Sequence, residues 1–125
     1  MTKLRELYRC GICGNVVEIT NEGAPDLHCC GEAMGLLEAK KQDQGLEKHV
    51  PVVEEVTGGV LVKVGSVEHP MVDEHYIKFI EVMTDNSVMR AELGPAQKPE
   101  AFFPVSKNDI TGVREFCTVH MLWSA

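Results

Sequence analysis

The sequence predicts an all-β protein in two parts, a small metal-knuckle domain followed by an antiparallel β-sandwich. Three observations carry this reading. Four of the five cysteines, Cys10, Cys13, Cys29 and Cys30, fall in the first quarter of the 125 residues. From about residue 47 onward, short runs of β-branched and aromatic residues alternate with turn signals roughly every 10 residues. No long stretch shows helical periodicity, and there is neither an internal repeat nor a low-complexity tract.

Taken in order, residues 1–37 are cysteine-rich and punctuated by glycine. A piece this small, below about 40 residues, rarely folds on apolar burial alone, so it needs a staple. Residues 38–46, "EAKKQDQGL", are mostly polar, lack a strand pattern and are read as a linker. The β lobe is expected over 47–125. Its first signal is a β-hairpin, "VPVVEEV" and "VLVKVG" around "TGG". "YIKFIEVM" (76–83) follows, with "DNS" as its turn, then "VMRAEL" (88–93). After the loop "GPAQKP" come "AFFPV" (101–105) and "GVREFCTV" (112–119). Phe79, Ile80, Phe102 and Trp123 are expected in the core, with Trp123 also close enough to His120 to shield a site there.

Charge and length exclude several classes. Nineteen acidic against 12 basic residues give a net charge of -7, which disfavours nucleic acid, whose phosphates need clustered Lys and Arg. No apolar run approaches the roughly 20 residues of a membrane helix. The start, "MTKLRELYR", has no apolar signal region, so the expected compartment is the cytoplasm. Thiols stay reduced there, and clustered cysteines are read as metal ligands before disulfides.

In "CGIC", the C-x2-C spacing on a tight turn can aim both sulfurs at one ion, with Gly11 and Gly14 giving the backbone freedom. The second pair, "CC", has no spacer. Adjacent residues in a strand point to opposite faces, so Cys29 and Cys30 share a metal only from a turn. A vicinal disulfide is the alternative. A tetrathiolate site fits zinc or a single iron, and either metal would supply folding energy that the small lobe lacks. His28 beside it is read as a partly exposed turn residue and not as a ligand.

The other four histidines, His49, His69, His75 and His120, all lie in the β lobe near strand ends or loops, together with Cys117. Loops gather at the ends of a sandwich, so these residues can meet; scattered, solvated histidines are the bland alternative. Four imidazoles and one thiolate exceed the four ligands of structural zinc, and four histidines are too many for a blue-copper site. Five strong ligands fit an octahedral metal with one open position, for which iron is the natural candidate. A thiolate ligand pushes electron density toward the metal. A divalent ion with neutral imidazoles and one thiolate keeps a positive charge, which attracts a small anion.

Taken together and in this order, "CGIC", "CC", "EKHVP", "HPM", "HYI" and the late C-x2-H resemble desulfoferrodoxin, the two-iron form of superoxide reductase. The resemblance covers nearly the whole chain. It implies a desulforedoxin- or rubredoxin-like N-terminal domain holding an iron tetrathiolate, and an immunoglobulin-like sandwich holding a square-pyramidal iron. His49, His69, His75 and His120 would be its equatorial ligands and Cys117 its axial one. The implied reaction is the one-electron reduction of superoxide to hydrogen peroxide, a detoxification that yields no dioxygen. Lys48 would attract superoxide and order water for protonation, and Glu47 would occupy the sixth position of oxidised iron. The tetrathiolate iron would relay electrons from a small redox protein such as a rubredoxin, and the N-terminal lobe would help build a homodimer. The family usually shows Cys-Asn-x-His-Gly where this chain has "CTVHM". If position 121 requires positive φ, Met121 is strained and the iron potential is expected to shift. Two other classes compete: an electron-transfer protein whose β lobe only docks a partner, and a zinc-stapled binding module.

Overall fold

The structure is a computed structural model, and it describes residues 1–24, 26–43 and 48–125. The chain forms two compact units, Met1–Glu38 and Ala39–Ala125. The first contains five short strands, β1 (Leu7–Arg9), β2 (Val16–Glu18), β3 (His28–Cys29), β4 (Glu32–Ala33) and β5 (Gly35–Leu36). β1 lies between β2 and β5, antiparallel to both, and β3 pairs with β4. Among the described residues of this unit, Leu7, Cys10 and Ile19 are the buried apolar side chains. Three such residues contribute a few kcal/mol at about 1.5–3 kcal/mol each, far too little to order the unit alone.

The β3–β4 connection accounts for the "CC" pair. Cys29 faces Glu32 in the ladder, leaving Cys30 and Gly31 as a two-residue turn with φ of 55° and 77°. Two successive positive φ values mark the type I′ hairpin turn, which is normally built on Asn-Gly. Here cysteine takes the first corner, and the strand alternation that would separate neighbouring sulfurs is broken there.

The second unit is a sandwich of seven strands: β6 (Pro51–Val56), β7 (Gly59–Val64), β8 (Ile77–Met83), β9 (Val88–Glu92), β10 (Glu100–Phe103), β11 (Gly112–Cys117) and β12 (Met121–Ser124). They form two antiparallel sheets, in the orders β10-β7-β6 and β12-β11-β8-β9. Val60, Val62 and Val64 of β7 and Phe103 of β10 meet Ile77, Ile80 and Val82 of β8 and Val113 and Cys117 of β11 in one core. The expected strands all appear, and β12 is an addition. It pairs with β11 and binds Lys40 through a parallel bridge to Trp123, so that Lys40, in the segment read as a linker, is hydrogen-bonded to the edge of this sheet. Residues 44–46 of that segment lie outside the described residues, as does Glu47. No helix among the described residues is long and apolar enough to cross a membrane.

Two expectations about the core need correction. Ile80 and Trp123 are buried, but Phe102 is 50% exposed and Phe79 is only half-buried. Strand alternation allows only one of two neighbouring phenylalanines to face inward, and in β10 that one is Phe103. Phe79 stacks instead on Phe116, directly opposite it across β8 and β11, at 5.6 Å. Beside them the fully buried Glu81 accepts from Arg114 at 2.6 Å and from Arg90 at 3.2 Å, a cross-strand triplet that satisfies its charge.

The sheet β10-β7-β6 closes most tightly at Gly59, where a Cβ would collide with the Phe103 carbonyl oxygen. Gly59→Ala is therefore expected to lower unfolding free energy by about 3 kcal/mol, because a backbone atom cannot yield as a side chain can. Chemical denaturation of the two proteins checks this; equal midpoints would show that the strands separate at little expense.

Candidate metal centres

In the first unit, β1 runs into the turn Cys10–Gly14, where the Gly14 amide returns to the Cys10 carbonyl. This turn aims the amides of Ile12 and Cys13 at Cys10 Sγ, both at 3.4 Å. Across from it, Cys13 Sγ lies 3.6 Å from Cys29 Sγ, which lies 3.9 Å from Cys30 Sγ. All four sulfurs fall within 4.8 Å of one another. A tetrahedron with metal–sulfur bonds of about 2.3 Å has edges of about 3.8 Å, so these spacings fit one ion. They do not fit a disulfide, with its S–S bond of about 2.05 Å, and none of these four cysteines is in one. The Cys13 and Ile12 amides pull the Cys10 thiol down to about 6. Sharing hydrogen bonds with Cys13, Cys10 and Cys29 pushes Cys30 up to about 12, and Cys29 is raised chiefly by Cys13. The surroundings thus favour ionisation at Cys10 and oppose it at Cys29 and Cys30. Asn15, which the sequence did not single out, adds its Nδ2 at 3.8 Å from Cys29 Sγ. His28 is exposed, its ring facing the Asp26 carbonyl, outside the cysteine group.

The second group gathers at one end of the sandwich. His49 precedes β6, His69 and His75 lie in the β7–β8 connection, Cys117 ends β11 and His120 sits in the β11–β12 turn. Their four imidazoles form a closed ring. Centroids are 4.6 Å apart from His49 to His69, 4.8 Å from His69 to His75, 5.1 Å from His75 to His120 and 4.8 Å from His120 back to His49. Adjacent rings are steeply inclined, by 64° to 90°. The fully buried Cys117 Sγ lies 3.6 Å from His69 Nε2 and 3.9 Å from His120 Nδ1. The ligating atoms of His49, His69, His75 and Cys117 fall within 4.8 Å of one another, and His120 completes the ring beside them.

Two details suit these side chains to a metal. His69 Nδ1 is 2.7 Å from the Pro70 carbonyl oxygen, which can only accept, so Nδ1 carries the proton and the neutral ring turns a lone pair at Nε2 inward. His69 Nε2 and His49 Nε2 are 3.0 Å apart. Two nitrogens about 2.1 Å from one ion are about 3.0 Å apart at a right angle and about 3.4 Å apart at the tetrahedral angle. The spacing thus fits a square arrangement. The donor set of imidazoles and one thiolate suits iron.

The surroundings add Lys40 and Glu115, which the sequence did not mark, to Trp123 and Lys48, which it did. Trp123 stacks on His49 at 4.5 Å with 12° between the planes, and its indole N–H donates to the His120 carbonyl at 3.0 Å. Lys40 Nζ lies 5.0 Å from the Trp123 ring centre. Glu115, two residues before Cys117, is fully buried, has no hydrogen-bond partner among the described residues, and is pushed up to about 9 by burial and by Asp43. Lys48 is half-buried.

Comparison with known proteins agrees with this geometry. Residues 41–125 match the family described as desulfoferrodoxin, and residues 2–37 match the desulfoferrodoxin N-terminal domain. A desulfoferrodoxin homolog of Methanothermobacter thermautotrophicus is 49% identical over 98% of this chain and 99% of its own. A desulfoferrodoxin of Syntrophotalea carbinolica is 47% identical over 100% of this chain and 98% of its own. The crystal structure of the superoxide reductase from Treponema pallidum superposes with a TM-score of 0.78 at 31% identity, covering 96% of each chain.

The β11–β12 turn carries the departure noted in the sequence. Met121 has φ of 68°, the left-handed conformation suited to glycine. The same turn places the His120 amide 3.4 Å from Cys117 Sγ. Thr118 holds its other side, its hydroxyl accepting from the Tyr76 amide at 3.1 Å, next to His75. Met121→Gly should raise unfolding free energy by about 1 kcal/mol and, by relaxing the turn, move the reduction potential of a metal bound to Cys117. A thermal melt and a redox titration check both; an unchanged potential would uncouple the turn from the sulfur.

Proposed function

The chain belongs to the desulfoferrodoxin family, and from that premise we propose that it is a superoxide reductase, catalysing the conversion of superoxide, one electron and two protons into hydrogen peroxide. The observation that carries the reading is the closed ring of four imidazoles beside the fully buried sulfur of Cys117. His49, His69, His75, His120 and Cys117 would hold the catalytic iron, and Cys10, Cys13, Cys29 and Cys30 a second iron. When bound, the catalytic iron supplies the electron that superoxide accepts.

The chain's own residues would do the rest. The thiolate is the sole anion among the five donors, so the centre keeps a positive charge that draws a small anion. Lys48 adds a cation beside His49 and would guide superoxide in and order the water that delivers protons. Glu47 is proposed as the carboxylate that closes the sixth position in the oxidised protein. Of the four rings, His49 and His69 are buried, while His75 and His120 retain partial exposure, which supports protons arriving from solvent. The division of labour would follow the chain, with residues 1–37 the relay domain and 47–125 the catalytic one, joined by 38–46.

Exposure of Cys13 and Cys30, with Ile12 58% exposed between Cys10 and Cys13, supports electron uptake at the surface from a small redox protein such as a rubredoxin. The aligned Tyr8, Val17 and Leu36, with Val17 37% and Leu36 43% exposed, supports a homodimer built through the small unit. Reduced thiols at both centres suit the cytoplasm.

The decisive experiment combines metal analysis, visible spectra before and after mild oxidation, and superoxide consumption with an external donor. Two irons per chain and rapid consumption are expected. Cys117→Ser should abolish consumption and the band that appears on oxidation, while leaving the tetrathiolate bands. Lys48→Ala should slow the second-order reaction about 10-fold and flatten its salt dependence. Zinc in both sites, or one metal per chain, would bring forward the zinc-stapled binding module.

A further inference from the structure

We propose that Asp43 is a positioning residue for the second metal centre, its carboxylate fixing the backbone from which the His49 imidazole projects. The proposal rests on the reading that this centre holds iron. A single oxygen, Asp43 Oδ1, accepts from the His49 amide at 2.6 Å and from the Val50 amide at 2.9 Å. Hydrogen bonds from backbone amides to a carboxylate are charge-assisted and about twice as strong as neutral ones.

His49 needs such an anchor more than the other ligands do. Cys117 ends a central strand, His69 is tied at its ring to the Pro70 carbonyl, and His120 closes a turn whose own amide meets Cys117 Sγ. His49 lies just ahead of β6, at the end of a loop. Its ring is held by Trp123, and its amide by Asp43. The backbone is confined from a further side by Gly65, where an added Cβ would lie 2.8 Å from the Lys48 carbonyl oxygen. Asp43 and Gly65 together leave the Lys48–His49 peptide little freedom.

What the position needs first is an acceptor oxygen of the right reach, which asparagine also has, though without the charge that strengthens the two amide bonds. This separates two variants that a generic acidic surface residue would not separate. Asp43→Asn keeps the acceptor and loses the charge; Asp43→Ala loses both.

The test uses the full chain loaded with iron, with the tetrathiolate bands as an internal reference. Asp43→Ala should weaken iron binding at the His/Cys centre at least about 10-fold and shift its oxidised-state band, as loss of a group supporting a metal ligand does. The tetrathiolate bands should stay unchanged, and Asp43→Asn, which keeps weaker neutral hydrogen bonds, should lose clearly less affinity and shift the band less than Asp43→Ala. Wild-type affinity and band in Asp43→Ala, or equal loss in Asp43→Asn, would overturn the proposal. Amide hydrogen exchange at His49 and Val50 in the wild type gives an answer even if Asp43→Ala fails to fold. Slow exchange is expected, and exchange at the rate of an unprotected loop overturns it. A wild-type protein that takes up no second iron would instead overturn the functional reading itself.

Discussion

Crowded donors that hydrogen bonds cannot satisfy are the constraint on which both units depend. Four sulfurs within 4.8 Å of one another can share a few protons, yet each added thiolate raises the next thiol, as Cys30 shows. In the β lobe, two imidazole nitrogens stand 3.0 Å apart beside a buried sulfur. Such arrangements are unfavourable without a cation and strongly favourable with one. The folds differ in how they meet the constraint. The small unit has little apolar core and depends on the metal for stability. The sandwich has a full core between its sheets and can present its ligands from loops at one end, so its metal is free to serve chemistry.

Most of this was legible in the sequence because spacing and alternation are local signals. The hairpin of β6 and β7, the run into β8 and the C-x2-C knuckle announce themselves within a few residues. Even the "CC" pair gave its own condition, a turn, and Cys30–Gly31 meets it. β12 was not foreseen because its turn lacks the usual glycine and has Met121 in the left-handed position. Phe102 was misplaced because a pair of phenylalanines does not say which one faces in.

The supporting contacts to His49 were not legible, for a physical reason, although Trp123 was placed near His120. Asp43 reaches His49 from six positions back in the chain, and Trp123 stacks on it from the far end of the chain. Neither contact leaves a period or spacing behind. Glu115 sits in a strand otherwise read correctly, and only burial reveals that its carboxyl, not that of Glu81, has no counter-ion among the described residues. Glu81 has Arg114 and Arg90 directly across the ladder, whereas Glu115 faces Ile80 and Trp123.

Backbone strain follows the same logic. Among the described residues, two of the four non-glycine residues with positive φ, Cys30 and Met121, lie in turns that bear metal ligands. A left-handed residue costs about 1–2 kcal/mol, while a structural metal held by thiolates contributes about 10–16 kcal/mol at neutral pH. Binding therefore exceeds the strain several-fold. At Cys30 the strained residue is itself a ligand, and the left-handed turn is what brings its sulfur to 3.9 Å from that of Cys29. At Met121 the strained residue is only a neighbour, and nothing it contributes to the ligand set would be lost with glycine in its place. Strain at the first centre is thus intrinsic to coordination by adjacent cysteines. At the second it is a feature of this chain, acting on the sulfur only through the turn that aims the His120 amide.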